Sequence, residues 1–136
     1  MKHIARFILF DDNRSINALN KMIITKVIEG AEVITFNEPE EGLKFIESFI
    51  REEINRKTVI FLDINMPNMD AWEFLRNLEK IDGKVKHVFY IYILSAYIKF
   101  EDKKLIENAI QKGIISGYFN KPLTSEIIRN TTINKG

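Results

Sequence analysis

Residues 58–67 read Thr58-Val59-Ile60-Phe61-Leu62-Asp63-Ile64-Asn65-Met66-Pro67. The first five are β-branched, aromatic or aliphatic, and none is charged, as a strand requires. A strand with one wet face alternates apolar and polar residues, whereas a strand covered on both faces does not. Unbroken apolarity over Thr58–Leu62 therefore predicts a buried parallel strand with helices packed on either side. That strand ends at Asp63, and in such sheets ligands bind outside the carboxyl ends of the strands.

Working outward, runs of the same kind recur at Arg6–Phe10, Glu32–Phe36, His87–Leu94 and Gly117–Phe119. Stretches of helical period lie between them. Ser15–Ile28 puts Ile16, Leu19, Ile23 and Val27 on one stripe, and Glu40–Glu53 does the same with Leu43, Ile46 and Ile50. Ala71–Leu78 follows Pro67 and carries Trp72, Phe74, Leu75 and Leu78. Asp102–Gln111 offers Leu105, Ile106, Ala109 and Ile110, with Gly113 placed as its C-terminal stop. Ser125–Thr132 makes a last short helix, with Thr124 as its N-cap. Five alternations of strand and helix predict an α/β fold, a parallel sheet with right-handed crossovers. No repeat or linker divides the 136 residues, so a single domain over residues 1–136 is expected.

Composition removes several function classes. The chain has no cysteine, so disulfides and thiolate metal sites are excluded. A net charge of +1 argues against a broad basic face for nucleic acid. The longest apolar run, near Val88–Leu94, is far short of the roughly 20 residues that span a membrane. Arg6 and Asp11-Asp12 break the N-terminal apolar stretch before it could serve as a signal peptide, and a cytoplasmic protein is expected. Neither His3 nor His87 has a partner at metal-ligand spacing.

The strand ends carry the chemistry. The first ends in Asp11-Asp12, the third in Asp63, the fourth in Ser95, and the fifth runs into Asn120-Lys121-Pro122. Taken singly, each has an ordinary reading: a polar stop, a helix-dipole charge, a loop hydroxyl, a solvated lysine. The fold brings three carboxylates, a hydroxyl and an ammonium to one edge. Such carboxylates repel one another, and a divalent cation with oxygen ligands relieves the repulsion. A carboxylate beside that cation can attack phosphorus, while the metal and lysine neutralise the equatorial oxygens.

This set resembles the receiver domain of two-component response regulators. The resemblance runs from Phe7 to about Thr132 and rests on four ordered segments. They are Phe7-Ile8-Leu9-Phe10-Asp11-Asp12-Asn13, residues 62–70 (Leu62-Asp63-Ile64-Asn65-Met66-Pro67-Asn68-Met69-Asp70), Ile93-Leu94-Ser95-Ala96, and residues 117–124 (Gly117-Tyr118-Phe119-Asn120-Lys121-Pro122-Leu123-Thr124). It implies a doubly wound, flavodoxin-like sheet in the order 2-1-3-4-5. It implies Asp63 as phosphoacceptor, with Mg²⁺ (or Mn²⁺) held by Asp12, by Asp11 through water, by Asp63 and by the backbone carbonyl of Asn65. Lys121 would pair with the phosphoryl group, its bond to Pro122 being cis. Ser95 would be the switch hydroxyl and Tyr118 the aromatic that turns inward when that hydroxyl moves. The partners implied are a sensor histidine kinase or a histidine phosphotransfer protein and an unknown downstream protein.

Some features depart from the family or vary within it. Ala71 stands where the family usually has Gly, and the stretch from Asp12 to Asp63 is long, with the excess placed in Ile50–Lys57. Tyr97, two residues after Ser95, offers no carboxylate or amide to orient water, so it is expected to shield an acyl phosphate; the alternative is packing on its own loop. With no output domain after the last helix, a stand-alone receiver is expected, acting as a phosphate shuttle or by docking. Ile98, Phe100 and Tyr118 are the candidates for its docking face; the alternative is that Ile98 and Phe100 are buried under their own loop. Two other functions compete. A Mg²⁺-dependent phosphohydrolase with an aspartyl-phosphate intermediate would want a second acid where Asn65 stands. A phosphate-independent docking domain should have lost part of the charged set, which is complete here.

Overall fold

The computed structural model describes residues 4–49, 57–81 and 89–133. Five strands, β1 (Ile4–Phe10), β2 (Glu32–Phe36), β3 (Lys57–Leu62), β4 (Phe89–Ser95) and β5 (Gly117–Asn120), form one sheet. Its order is β2-β1-β3-β4-β5 and every pairing is parallel, the order and direction anticipated above. Five helices connect or follow the strands: α1 (Arg14–Val27), α2 (Pro39–Phe49), α3 (Ala71–Ile81), α4 (Phe100–Gln111) and α5 (Ser125–Ile133).

The unbroken apolar strands sort their side chains by the two-residue pleat. Ile8, Phe10, Ile60, Leu62, Ile91 and Ile93 point to one face, where Ile46 of α2, Phe74 and Leu78 of α3, and Ile106 and Ala109 of α4 cover them. Phe7, Leu9, Val59, Phe61, Tyr92 and Leu94 point to the other, against Ile24 of α1 and Ile128 of α5. Both faces are dry, which is why no polar alternation survives in β1, β3 or β4.

Local chemistry sets the helix ends. Asn13 accepts from the Ile16 N–H at 3.0 Å and starts α1. Thr124 caps α5 as expected, its Oγ1 accepting from the Ile127 N–H at 3.2 Å. Gly113 takes φ +75° just past α4, a conformation that costs glycine little. Ala71 is simply the first residue of α3. The left-handed position in the preceding loop is Asn68 (φ 72°), a residue type that tolerates it, so Ala in place of Gly strains nothing.

Two helix stripes are corrected. On α1, Ile23 and Val27 pack half-buried against the core as expected, but Leu19 is 54 % exposed and the fully buried positions are Asn17, Asn20 and Ile24. The helix is turned to bring the Asn17 carboxamide onto strand-end carbonyls, a demand that apolar periodicity does not register. On α4, Ile106 and Ala109 are buried but Leu105 and Ile110 are exposed. Of the two readings left open for the docking face, burial holds for Ile98, which joins the core, and exposure holds for Phe100 and Tyr118. Ile50 and His87 lie outside the described residues.

Candidate functional site

Sheet register assembles the site. Phe10 stands opposite Leu62, Leu62 opposite Ile93, and Ser95 opposite Asn120. The residues one step beyond β1 and β3 therefore come abreast. The Asp63 N–H donates to the Phe10 carbonyl at 3.2 Å and the Lys121 N–H to the Ser95 carbonyl at 2.9 Å, so the ladder runs into the loops that carry the chemistry.

Asp63 is buried, and both of its carboxylate oxygens are engaged. Oδ1 accepts from Ser95 Oγ at 3.2 Å and from the Asn65 N–H at 3.2 Å. Oδ2 accepts from Lys121 Nζ at 3.0 Å. Lys121 also reaches Asp11 Oδ2 at 2.5 Å, so one ammonium bridges two carboxylates from different strand ends. Asp11 is buried too, and its Oδ1 accepts from the Asn13 N–H at 2.9 Å. Burial pulls the Lys121 ammonium down. The hydrogen bonds and charges of Asp11 and Asp63 together outweigh that, and hold it above the usual lysine value of 10.5.

Asp11, Asp12 and Asp63 each offer a carboxylate oxygen, all three within 4.8 Å of one another. Two oxygens across an octahedral Mg²⁺ with ordinary bond lengths stand roughly 4.2 Å apart, so the cluster is close to that size. Three carboxylates and the Lys121 ammonium leave two negative charges, which one divalent cation balances. The donors are all oxygen, and Asp12 is open to solvent, which suits a hard cation that keeps several waters.

The structure thus brings together Asp11, Asp12, Asp63, Ser95 and Lys121, with the backbone of Asn65 beside them. Tyr118 stands apart on β5, 43 % exposed. The Lys121–Pro122 bond is cis, as the resemblance implied. Sequence reasoning missed Asn17 and Asn37, which donate to the Asp11 carbonyl at 2.9 and 3.2 Å. Nothing in the sequence sets them apart from solvated asparagines. It also missed that Trp72 Nε1 donates to Asp102 at 3.3 Å, tying α3 to α4.

A model of the response regulator receiver domain family matches residues 7–132. The chain belongs to this family. Among solved structures, the receiver is similar to a two-component response regulator from Cytophaga hutchinsonii, with 24 % identity and a TM-score of 0.84, covering 98 % of this chain and 97 % of that one. It is similar to a receiver domain protein from Clostridium thermocellum, at 25 % identity and a TM-score of 0.71 over 96 % and 95 % of the two chains. It is also similar to a Vibrio cholerae chemotaxis protein, at 23 % identity and a TM-score of 0.72 over 97 % and 98 %. No curated protein matches by sequence. Receivers are signalling domains of two-component systems that bind Mg²⁺ through acidic residues and meet histidine kinases or phosphotransfer proteins. No helix among the described residues is long and apolar enough to cross a membrane.

Proposed function

We propose that this receiver accepts a phosphoryl group on Asp63 from a phosphohistidine of a sensor kinase or a histidine phosphotransfer protein. A carboxylate oxygen of Asp63 attacks phosphorus, the phosphorus–nitrogen bond breaks, and the electron pair leaves with the imidazole. The observation that carries this reading is the Lys121 ammonium on Asp63 Oδ2 beside the Asp11–Asp12 pair, within one strand-end cluster. Asp11, Asp12, Asp63 and the Asn65 carbonyl would hold Mg²⁺, which when bound neutralises charge on the transferring group. Lys121 balances the remaining phosphoryl charge, already drawn to the site by two carboxylates.

Ser95 is the reporter. Its hydroxyl rests between Asp63 Oδ1 and the Tyr97 carbonyl, 3.2 and 3.4 Å away, and a phosphoryl oxygen competes for it. Its movement frees the space that Tyr118 turns into from its exposed position. Tyr97, 68 % exposed on the same loop, covers the acyl phosphate against water.

Intact mass spectrometry after incubation with Mg²⁺ and acetyl phosphate tests the reading. One added phosphoryl group is expected on the wild type, and none on Asp63→Asn or in the presence of chelator. Failure to take phosphate, together with failure to bind beryllofluoride, would refute it in favour of a phosphate-independent docking domain.

A further inference from the structure

The face of α1 turned toward the site carries a carboxamide where an amphipathic helix would place an aliphatic side chain. Asn17 is 2 % exposed. Its Nδ2 donates to the Asp11 carbonyl at 2.9 Å and to the Phe36 carbonyl at 3.2 Å. Asn37, just past β2, donates to the same Asp11 carbonyl at 3.2 Å. The Phe36 carbonyl also accepts from the Asp11 N–H at 3.2 Å. Two carboxamides, one from a helix and one from a loop, thus converge on one peptide group where β1 and β2 stop.

Stability alone does not account for this choice. Among the described residues, the buried Asn17 Oδ1 has no hydrogen-bond partner, an unfavourable arrangement that an aliphatic side chain would avoid. What Asn17 supplies instead is a pair of donors aimed at Asp11 and its neighbour across the sheet. With its carbonyl clamped from two sides, the Asp11 peptide cannot swing, and the direction of its side chain is set. That side chain reaches Lys121 through Oδ2 and the Asn13 N–H through Oδ1.

We infer that Asn17, supported by Asn37, is a positioning residue that aims the Asp11 carboxylate at the cation and at Lys121. The inference rests on the reading of Asp11 as a Mg²⁺ ligand. Groups that orient ligands in this way typically change metal affinity by about 10–100-fold.

The test is calorimetric titration of the unphosphorylated protein with Mg²⁺. Asn17→Ala should weaken binding by about tenfold or more, and Asn37→Ala by a smaller factor. Asn20→Ala is the control, since Asn20 is buried on the same helix face one turn further along. It should destabilise the fold and leave Mg²⁺ affinity unchanged. In acetyl phosphate assays, Asn17→Ala should need more Mg²⁺ for half-maximal phosphorylation yet reach the wild-type plateau. Unchanged affinity in Asn17→Ala, or an equal loss in Asn20→Ala, would overturn the inference while leaving the phosphoacceptor reading intact. A wild type that binds no Mg²⁺ would overturn both. Should Asn17→Ala fail to fold, Asn37→Ala decides: weakened binding supports the clamp and unchanged binding overturns it.

Discussion

Replacing Gly42 with alanine should destabilise this receiver, against the usual direction. Alanine in a helix interior normally gains about 0.5–1 kcal/mol over glycine. Here α2 lies so close to β1 that a Cβ on Gly42 would stand less than 3.0 Å from Cε1 and Cζ of Phe10 and 3.2 Å from Cδ2 of Phe36. Non-bonded carbons rest at roughly 3.5–4.0 Å. The Phe10 ring has nowhere to go: it is 2 % exposed, stacked on Phe36 at 5.6 Å between centroids and edge-on to Phe74 at 4.7 Å. Overpacking of this kind costs about 1–3 kcal/mol, and with a clash on two ring atoms the upper half applies, leaving a net loss of about 1–2 kcal/mol. For a domain of this size that is a fall in Tm of about 3–8 °C. Thermal and urea unfolding of wild type, Gly42→Ala, Phe10→Leu and the double variant would measure it. The double variant should be more stable than the sum of the two singles predicts, because leucine is smaller than the Phe10 ring it replaces and relieves the clash. A Gly42→Ala protein at least as stable as wild type, or strict additivity in the double variant, would refute the argument.

Other outcomes follow from the site and the core. Lys121→Ala should slow phosphorylation by acetyl phosphate about 10²–10³-fold in a mass-spectrometric time course, the usual loss for one charge-stabilising donor. It should also tighten Mg²⁺ binding, since Asp11 and Asp63 then lack their shared ammonium; equal rates in both proteins would remove Lys121 from the chemistry. Tyr97→Ala should shorten the lifetime of the phosphorylated form, and an unchanged lifetime would assign Tyr97 to loop packing alone. Burial, and then the neighbouring Tyr90, push the Tyr92 phenol above its usual 10.0. Its stabilising contribution is therefore complete below pH 10.0 and is lost as pH rises through the higher folded value. Chemical denaturation across about pH 9–11 should show Tyr92→Phe losing less stability than wild type over that range.

Much of this was legible before any coordinates. Continuous apolar runs in β1, β3 and β4 announced strands covered on both faces, because only burial on both sides removes the need for polar alternation. Asp11, Asp12, Asp63, Ser95 and Lys121 were found by their place after such runs, since a parallel sheet delivers every strand end to one edge. Helix boundaries at Thr124 and Gly113 follow from local hydrogen bonding and backbone freedom, which neighbours in sequence control, whereas the Asn13 cap that starts α1 at Arg14 was not read. The face of α1 was read only in part, Ile23 and Val27 but not Asn17, because periodicity scores asparagine as solvent-facing, whereas Asn17 answers to carbonyls of Asp11 and Phe36, one of them nineteen positions away. Whether Ile98 was exposed or buried stayed open in the sequence, and packing into the core decides for burial.

The division between the two follows the range of the forces. Short-range terms, from backbone sterics to the hydrophobic period, are written along the chain, and they determined the elements, their order and which residues could meet. The partners of each group at that edge required register and helix rotation, which are set by packing across the whole molecule. Only the tertiary structure decided that one ammonium bridges Asp11 and Asp63, that Ser95 rests on Asp63 Oδ1, and that two asparagines clamp the peptide of Asp11.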